Sequence, residues 1–210
     1  GGGGGGGSSG GSGGGGGTAT PTPAPTPAPS TGLAFVDVKT DDWFHANVKR
    51  AYEKGLMKGT DATHFSPNAN TTRATIATVL FRLDGERKGD VQAAFADVAA
   101  GTWYTDAVAW AAGKGIVKGY DQSTFAPNDN VTREQLAVML YRYAAPGEAP
   151  AKDLSGFADA AKVSPWAAEA MTWAVDKGII TGKGGGALDP QGLATRAEIC
   201  TMLVRFLDLK

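Results

Sequence analysis

Three arginines stand at the same place in three similar segments of the sequence. Arg73, Arg133 and Arg196 each follow a threonine and precede an apolar pattern of helical spacing. A cation in the first turn of a helix faces the positive end of the helix dipole, which costs about a few tenths of a kcal/mol. An arginine beside free backbone N–H groups is also a site for an anion, especially a carboxylate held by two hydrogen bonds. The structural alternative is an arginine paired with a nearby aspartate.

Tryptophans recur ahead of these arginines, each near the start of another predicted helix. Trp43, Trp103 and Trp166 have two interpretations. A tryptophan in such a place is most often packed in the core, and residue type alone slightly favours packing. An exposed indole face would instead stack on a sugar ring. Trp110 and Trp173, seven residues after the second and third of these, are predicted to pack in the core.

Residues that could support catalysis are scarce. The two histidines, His45 and His64, both lie in the first segment and lack the spacing of metal ligands. Glycoside hydrolysis needs two carboxylates at a fixed separation, whereas Asp37, Asp97 and Asp159 recur singly, as structural residues would. The sequence contains no nucleophile elbow and no P-loop. We therefore expect a non-catalytic protein without a cofactor.

The arginines and tryptophans belong to three copies of one repeat. Each copy contains a Phe-x-Asp triplet, a tryptophan, a Gly-x-x-x-Gly loop, a proline and a Thr-Arg pair, in that order. The first and second copies are 60 residues apart, and the third follows after 62 to 63 more. We place the repeats at 33–92, 93–154 and 155–210.

Within each repeat the sequence predicts a helix, a loop and a second helix. The first helix begins at a candidate N-cap, and these caps are Asp42, Thr102 and Ser164. It ends at a glycine suited to the left-handed conformation, namely Gly55, Gly115 or Gly178. The second helix begins at the Thr-Arg pair, with a capping box in copies two and three. Its apolar residues follow the spacing of one helix face, so three such faces can bury each other in one mainly α unit.

The remaining composition limits the possible partners. Residues 1–32 are Gly/Ser-rich and then Pro/Thr-rich, without charge, and are predicted to be a disordered linker. The net charge of −1 and the lack of a basic patch argue against a nucleic-acid partner. No apolar run is long enough to span a membrane. Cys200 is the only cysteine and lies on an apolar helix face, which predicts a buried thiol.

The order Phe-x-Asp, Trp, Gly-Ile-Val-Lys-Gly-Tyr-Asp, Phe-x-Pro-Asn, Val-Thr-Arg-Glu in copy two resembles the S-layer homology domain family. The Thr-Arg-Ala-Glu of copy three matches the signature of that family, and the resemblance covers residues 33–210. It implies three helix-loop-helix repeats in a pseudo-threefold spindle around a central three-helix bundle.

The resemblance also implies a function. Members of the family anchor exported proteins at the bacterial cell wall by binding secondary cell-wall polysaccharide, often through a pyruvate ketal, in grooves between neighbouring copies. The glycan-binding residues carried over are Trp43, Gly59, Arg73, Trp103, Gly119, Arg133, Trp166, Gly182 and Arg196. We accordingly expect a monomeric, extracellular module at the cell wall or S-layer. The copies depart from the family pattern at Thr75, at Gln135 and at Lys183 to Gly186, which predicts unequal grooves.

Two other classes of function remain open at this point. The chain could be the anchor of a larger secreted enzyme whose catalytic domain lies elsewhere. It could also be a lattice-forming, protein-binding module without a sugar ligand.

Overall fold

Helices of 9 to 12 residues carry the fold. The computed structural model describes residues 33–87, 95–148 and 150–209. The α-helices are α1 (His45–Glu53), α2 (Arg73–Leu83), α3 (Thr105–Gly113), α4 (Arg133–Ala144), α5 (Ala168–Asp176) and α6 (Arg196–Leu207). Short 3₁₀ turns occur at Ala160–Lys162, Pro165–Ala167 and Gly184–Gly186. Because these ranges contain isolated β-bridges but no strand, the predicted mainly α class is confirmed.

The described residues of Leu33–Lys210 make one compact unit rather than three separate ones. One buried apolar cluster draws side chains from all three repeats. The repeat boundaries stay predictions, and the first of them, like the predicted linker over 1–32, falls outside the described residues. Among the described helices, none combines the length and apolarity needed to cross a bilayer.

The first helix of each repeat begins later than the sequence predicts. α1 starts at His45 because the Asp42 carboxylate accepts the N–H of Lys39, so Asp42 closes its own turn and does not cap the helix. α3 likewise starts at Thr105, and in the third repeat a 3₁₀ turn at Pro165 precedes α5. The helix ends agree with the prediction. The glycines that follow them have φ values of 68° to 70°: Gly55, Gly115 and Gly178.

The second helices begin as predicted. Thr132 and Gln135 form a capping box, in which the threonine oxygen accepts the Gln135 N–H and the glutamine oxygen accepts the Thr132 N–H. Thr195 and Glu198 form the same box in the third repeat. In the first repeat the threonine half alone is present, because Thr75 stands at the third helical position.

The most closely packed helix pairs join different repeats. Each second helix lies against the first helix of the next repeat: α2 against α3, α4 against α5, and α6 back against α1. Second helices also meet through aromatic rings, since Tyr143 on α4 and Phe206 on α6 have centroids 5.9 Å apart. Because α6 contacts α1, the helix contacts run from the first repeat to the third and back to the first. The pseudo-threefold spindle around a central bundle stays a prediction.

The starts of the second helices are joined by a closed set of backbone hydrogen bonds. The Thr71 N–H donates to the Ala194 carbonyl at 3.2 Å, the Ala194 N–H to the Val131 carbonyl at 3.0 Å, and the Val131 N–H to the Thr71 carbonyl at 2.8 Å. We call this set the backbone ring. Each of its three residues comes from a different repeat, so the ring exists only while all three repeats are in place.

The next N–H groups of these helices also find partners in another repeat. The N–H of Arg73 donates to the Asp129 carbonyl at 2.9 Å, and that of Ala74 to the Pro127 carbonyl at 3.0 Å. The same pairs recur from α4 to Gly192 and Pro190, and from α6 to Ala69 and Pro67. Proline-containing turns therefore supply the acceptors that the first N–H groups of each second helix need.

The aspartate of each Phe-x-Asp triplet holds one of these turns, which supports its predicted structural role. The Asp37 carboxylate accepts the N–H groups of Phe65 and Ser66 at 2.8 and 2.7 Å. Ser66 has a left-handed backbone with a φ of 57° and precedes Pro67. Asp97 and Asp159 make the equivalent pairs of bonds. Desolvation opposes ionisation of Asp37, but the two N–H donors outweigh it and lower its pKa.

We expect Asp37→Asn to lower the melting temperature at neutral pH, because the turn loses charge-assisted hydrogen bonds while Ser66 keeps its strained backbone. The lowered pKa of Asp37 means that its contribution is complete above the unfolded pKa of about 3.9 and is lost as pH falls through the folded value. Circular dichroism melting curves should therefore converge for variant and wild type in strong acid.

Two controls sharpen this test. Asp41→Asn changes an exposed carboxylate nearby and should leave the melting temperature unaltered. Adding Ser66→Gly to Asp37→Asn should recover part of the loss, since glycine adopts the left-handed conformation without strain. Equal melting temperatures of Asp37→Asn and wild type at neutral pH would contradict the role assigned to the carboxylate.

Candidate functional site

The recurring tryptophans lie on the surface. Trp43, Trp103 and Trp166 are 65%, 62% and 58% exposed, so the slight preference for core packing was wrong. Trp43 and Trp103 lie two residues before α1 and α3, and Trp166 lies in the 3₁₀ turn that precedes α5. Trp110 and Trp173 are buried, as predicted. The exposed indoles leave large apolar faces available to a ligand.

Two grooves bring together candidate residues from all three repeats. The Arg73 groove, a cavity of about 360 Å³, combines Arg73 of the first repeat, Gly119 of the second and Trp166 of the third. The Arg133 groove, of about 350 Å³, combines Arg133, Gly182 and Trp43. Both volumes lie within the range of small-molecule sites.

Of the remaining candidates, Arg196 and Gly59 also come together from different repeats, whereas Trp103 joins neither groove. Arg196 of the third repeat donates from Nη2 to the Lys58 carbonyl, so its guanidinium reaches the glycine loop of the first repeat beside Gly59. Trp103 lines neither of the two grooves. The sequence could identify these residue types, but not that each arginine works with the glycine loop of a different repeat.

The motif arginines are buried or half-buried and donate to backbone carbonyls of another repeat, and Arg73 and Arg196 thereby hold its glycine loop. Arg73 is 4% exposed and donates from Nε to the Phe125 carbonyl at 2.9 Å and from Nη2 to the Lys118 carbonyl at 2.8 Å. Its guanidinium carbon also lies 4.7 Å from the ring centroids of Tyr120 and Phe125. Burial lowers the pKa of Arg73, yet an arginine so far above neutrality stays charged.

Arg133 and Arg196 make corresponding bonds. Arg133 Nε donates to the Leu188 carbonyl at 2.9 Å, and Arg196 Nε donates to the Phe65 carbonyl at 2.7 Å. The acceptors are therefore backbone carbonyls, and the aspartates of the Phe-x-Asp triplets bind backbone N–H groups instead. Among the described residues, none of these three arginines forms an ion pair with an aspartate, which is the structural alternative; Arg133 lies 3.7 Å from the Glu198 carboxylate.

The helix starts do not offer free N–H groups to an anion. The first two N–H groups of each second helix donate to carbonyls of another repeat, and the third donates to the threonine cap. This corrects the expectation that the arginine and free N–H groups would bind one carboxylate together. The charged side chains of the grooves are then the candidates for binding an anion.

The second glycines of the loops have a packing role. A Cβ on Gly59 would lie 2.5 Å from both the Asp61 carbonyl oxygen and the Cε1 atom of Phe35, so any side chain would force the loop apart. Gly119 is equally crowded by Phe95 and its own loop. Gly182 has a φ of 85°, which favours glycine on conformational grounds.

A second set of arginines lines the grooves and was missed in the sequence. Arg142 lines the Arg73 groove, and Arg205 lines the Arg133 groove. They recur nine residues after the motif arginine of each repeat, at Arg82, Arg142 and Arg205, so the repeat pattern contained the signal. Arg205 donates from Nη1 to the Ile179 carbonyl at 3.3 Å, and Arg82 donates likewise to the Leu56 carbonyl at 3.1 Å.

Comparison with known proteins gives the same division of the chain. The family described as "S-layer homology domain" matches at residues 34–77, 94–137 and 156–200. A surface-layer 125 kDa protein of Lysinibacillus sphaericus is 34% identical over 166 residues, which are 77% of this chain and 14% of that protein. An amylopullulanase of Thermoanaerobacterium thermosulfurigenes is 29% identical over 83% of this chain and 9% of its own length.

An S-layer protein of Bacillus anthracis is 29% identical over 84% of this chain and 21% of its own length. The chain thus spans a small part of each of these three relatives. The three family matches fall on the three repeats, each running from a Phe-x-Asp triplet into a second helix. With three matches that together cover more than half of its residues, the chain belongs to the S-layer homology domain family.

Proposed function

We propose that the chain anchors an exported protein by binding secondary cell-wall polysaccharide, with a pyruvate ketal as the charged group that the grooves recognise. As a member of the S-layer homology family with surface-layer relatives, the chain is a non-catalytic cell-surface anchoring module. One observation gives the strongest support to the proposed binding of a pyruvylated polysaccharide. Each of the two grooves combines an exposed indole with cationic side chains, the pairing that an acidic sugar requires.

The groove chemistry suits a sugar that bears a carboxylate. The Arg73 side chain donates from Nε to the Phe125 carbonyl and from Nη2 to the Lys118 carbonyl. No described residue accepts a hydrogen bond from Nη1, so its donors remain for a ligand. The Trp166 indole, which comes from the third repeat, offers an apolar face for the hydrophobic side of a sugar ring. The arginine would thus bind the charge and the tryptophan the ring, while Gly119 allows the close approach of the backbone.

Pyruvate removal tests the proposal directly. The chain should sediment with purified cell-wall sacculi that carry pyruvylated polysaccharide, and chemical depyruvylation should reduce binding about tenfold or more. A charge-assisted hydrogen bond contributes roughly 1.5–3 kcal/mol, and about 1.4 kcal/mol corresponds to a factor of ten. Sacculi stripped of all secondary polysaccharide provide the background. Equal binding to pyruvylated and depyruvylated sacculi would contradict the proposed recognition of the charge.

Tryptophan variants give a cleaner test of binding than arginine variants. Because Trp166 is 58% exposed, Trp166→Ala should keep the melting temperature and weaken glycan binding by about thirtyfold, equivalent to roughly 2 kcal/mol. Arg73→Ala should reduce both binding and stability, since it leaves the buried Phe125 carbonyl without its donor at a cost of about 1–3 kcal/mol.

Calorimetric titration with pyruvylated glycan, alongside melting curves, separates the two effects. Tyr52→Ala is the matched control, since Tyr52 is an exposed aromatic residue outside both grooves. Unchanged affinity of Trp166→Ala would show that the exposed indole takes no part in binding.

A further inference from the structure

The two grooves differ at the residue that closes the capping box. Gln135 lines the Arg73 groove and Glu198 lines the Arg133 groove, both at the third position of a second helix. Each side chain makes the same structural bond, since Gln135 Oε1 accepts the Thr132 N–H and Glu198 Oε2 accepts the Thr195 N–H, both at 3.1 Å. The capping role is therefore identical, and the difference that remains is charge.

In the Arg133 groove the Glu198 carboxylate lies among the cations. Its Oε1 atom, which the capping bond does not use, lies 3.7 Å from Nη1 of Arg133 and 3.1 Å from Nζ of Lys183. Lys183 also contacts Asp189 at 2.9 Å. Both neighbouring cations thus already have a carboxylate of the protein within ion-pairing distance, at the place where an anionic ligand would bind.

The Arg73 groove lacks such a carboxylate. Among its described lining residues, Arg73, Lys118 and Arg142 are cationic and none is acidic. Arg142 forms no hydrogen bond or ion pair with any described residue, whereas its counterparts Arg82 and Arg205 donate to loop carbonyls. Other aspartates do not distinguish the grooves. Asp97 and Asp159 hold corresponding turns, and Asp129 acts on Arg73 as Asp189 acts on Arg133.

We infer that the capping-box residue determines which groove accepts an anion: Gln135 leaves the Arg73 groove open to a carboxylate ligand, whereas Glu198 occupies the equivalent position of the Arg133 groove with a carboxylate of the protein. This inference rests on the proposed function and adds which groove recognises the acidic sugar. A neutral sugar can still stack on Trp43 in the Arg133 groove. A charged one must displace Glu198 from Arg133 and Lys183, or bind beside it at a cost in repulsion.

Reciprocal substitutions test the inference without disturbing the helix starts. Gln135→Glu and Glu198→Gln exchange the charge and keep a capping side chain, because both residue types already form this box in the chain. The indole N–H signals of Trp166 and Trp43 report the two grooves separately in nuclear magnetic resonance spectra, after assignment by Trp→Phe variants. The probe is soluble pyruvylated wall polysaccharide, with its depyruvylated form as the comparison.

In the wild type we expect the Trp166 signal to shift at a glycan concentration about tenfold or more below that needed to shift Trp43. Gln135→Glu should raise the dissociation constant reported by Trp166 about tenfold. Glu198→Gln should lower the one reported by Trp43 by a similar factor and make it sensitive to depyruvylation. Melting curves check that both variants remain folded.

The outcomes separate the inference from the proposed function. If neither indole of the wild type responds to the pyruvylated glycan, the proposed function is wrong and the inference fails with it. If the wild type binds in a pyruvate-dependent way but Glu198→Gln leaves the Trp43 titration unchanged, the inference alone is wrong. Equal wild-type affinities at Trp43 and Trp166 would likewise overturn it.

Discussion

The fold depends on an exchange of hydrogen bonds among the three repeats at the starts of their second helices. A helix leaves its first N–H groups without partners inside the helix, and burying them unpaired is costly. Here each repeat provides carbonyl acceptors for the first N–H groups of a second helix in another repeat. The backbone ring of Thr71, Val131 and Ala194 closes the exchange, and carbonyls next to the prolines complete it. A single repeat would expose both its helix start and one face of its apolar core, so the repeats depend on each other.

The same exchange builds the grooves. The turn that supplies acceptors to α2 also supplies the Phe125 carbonyl to the Arg73 guanidinium, so one cross-repeat contact both satisfies the helix and fixes the arginine. The glycine loop that Arg73 holds forms one wall of the groove, and Trp166 of the remaining repeat forms another. Structural and binding roles are therefore combined in the arginine. This explains why it stands where the helix dipole disfavours a cation, since backbone carbonyls compensate its charge.

Most features set by local physics could be predicted from the sequence. The threonine caps of the second helices, the two complete capping boxes and the left-handed glycines depend on residues within one turn of each other, and the structure has them as predicted. The caps predicted for the first helices, Asp42 and Thr102, were wrong, because the turns that precede α1 and α3 use these residues instead. Features that depend on contacts between repeats were missed. Nothing in the local sequence of Arg73 indicates that its N–H groups and guanidinium meet carbonyls some fifty residues away. The exposure of Trp43 likewise depends on which parts of other repeats pack near it, and residue type alone does not predict this. Arg142 and Arg205 could have been found, because their spacing from the motif arginine repeats.

The most direct test of this mutual dependence is native-state hydrogen exchange of the amides of Thr71, Val131 and Ala194. Because each N–H donates to a different repeat, opening any one repeat releases the ring. All three amides should therefore exchange only through global unfolding, with one common free energy of opening and the same dependence on denaturant. Free energies that differ among the three amides, with one repeat opening well below the global value, would show that the repeats are stable separately and would contradict the account.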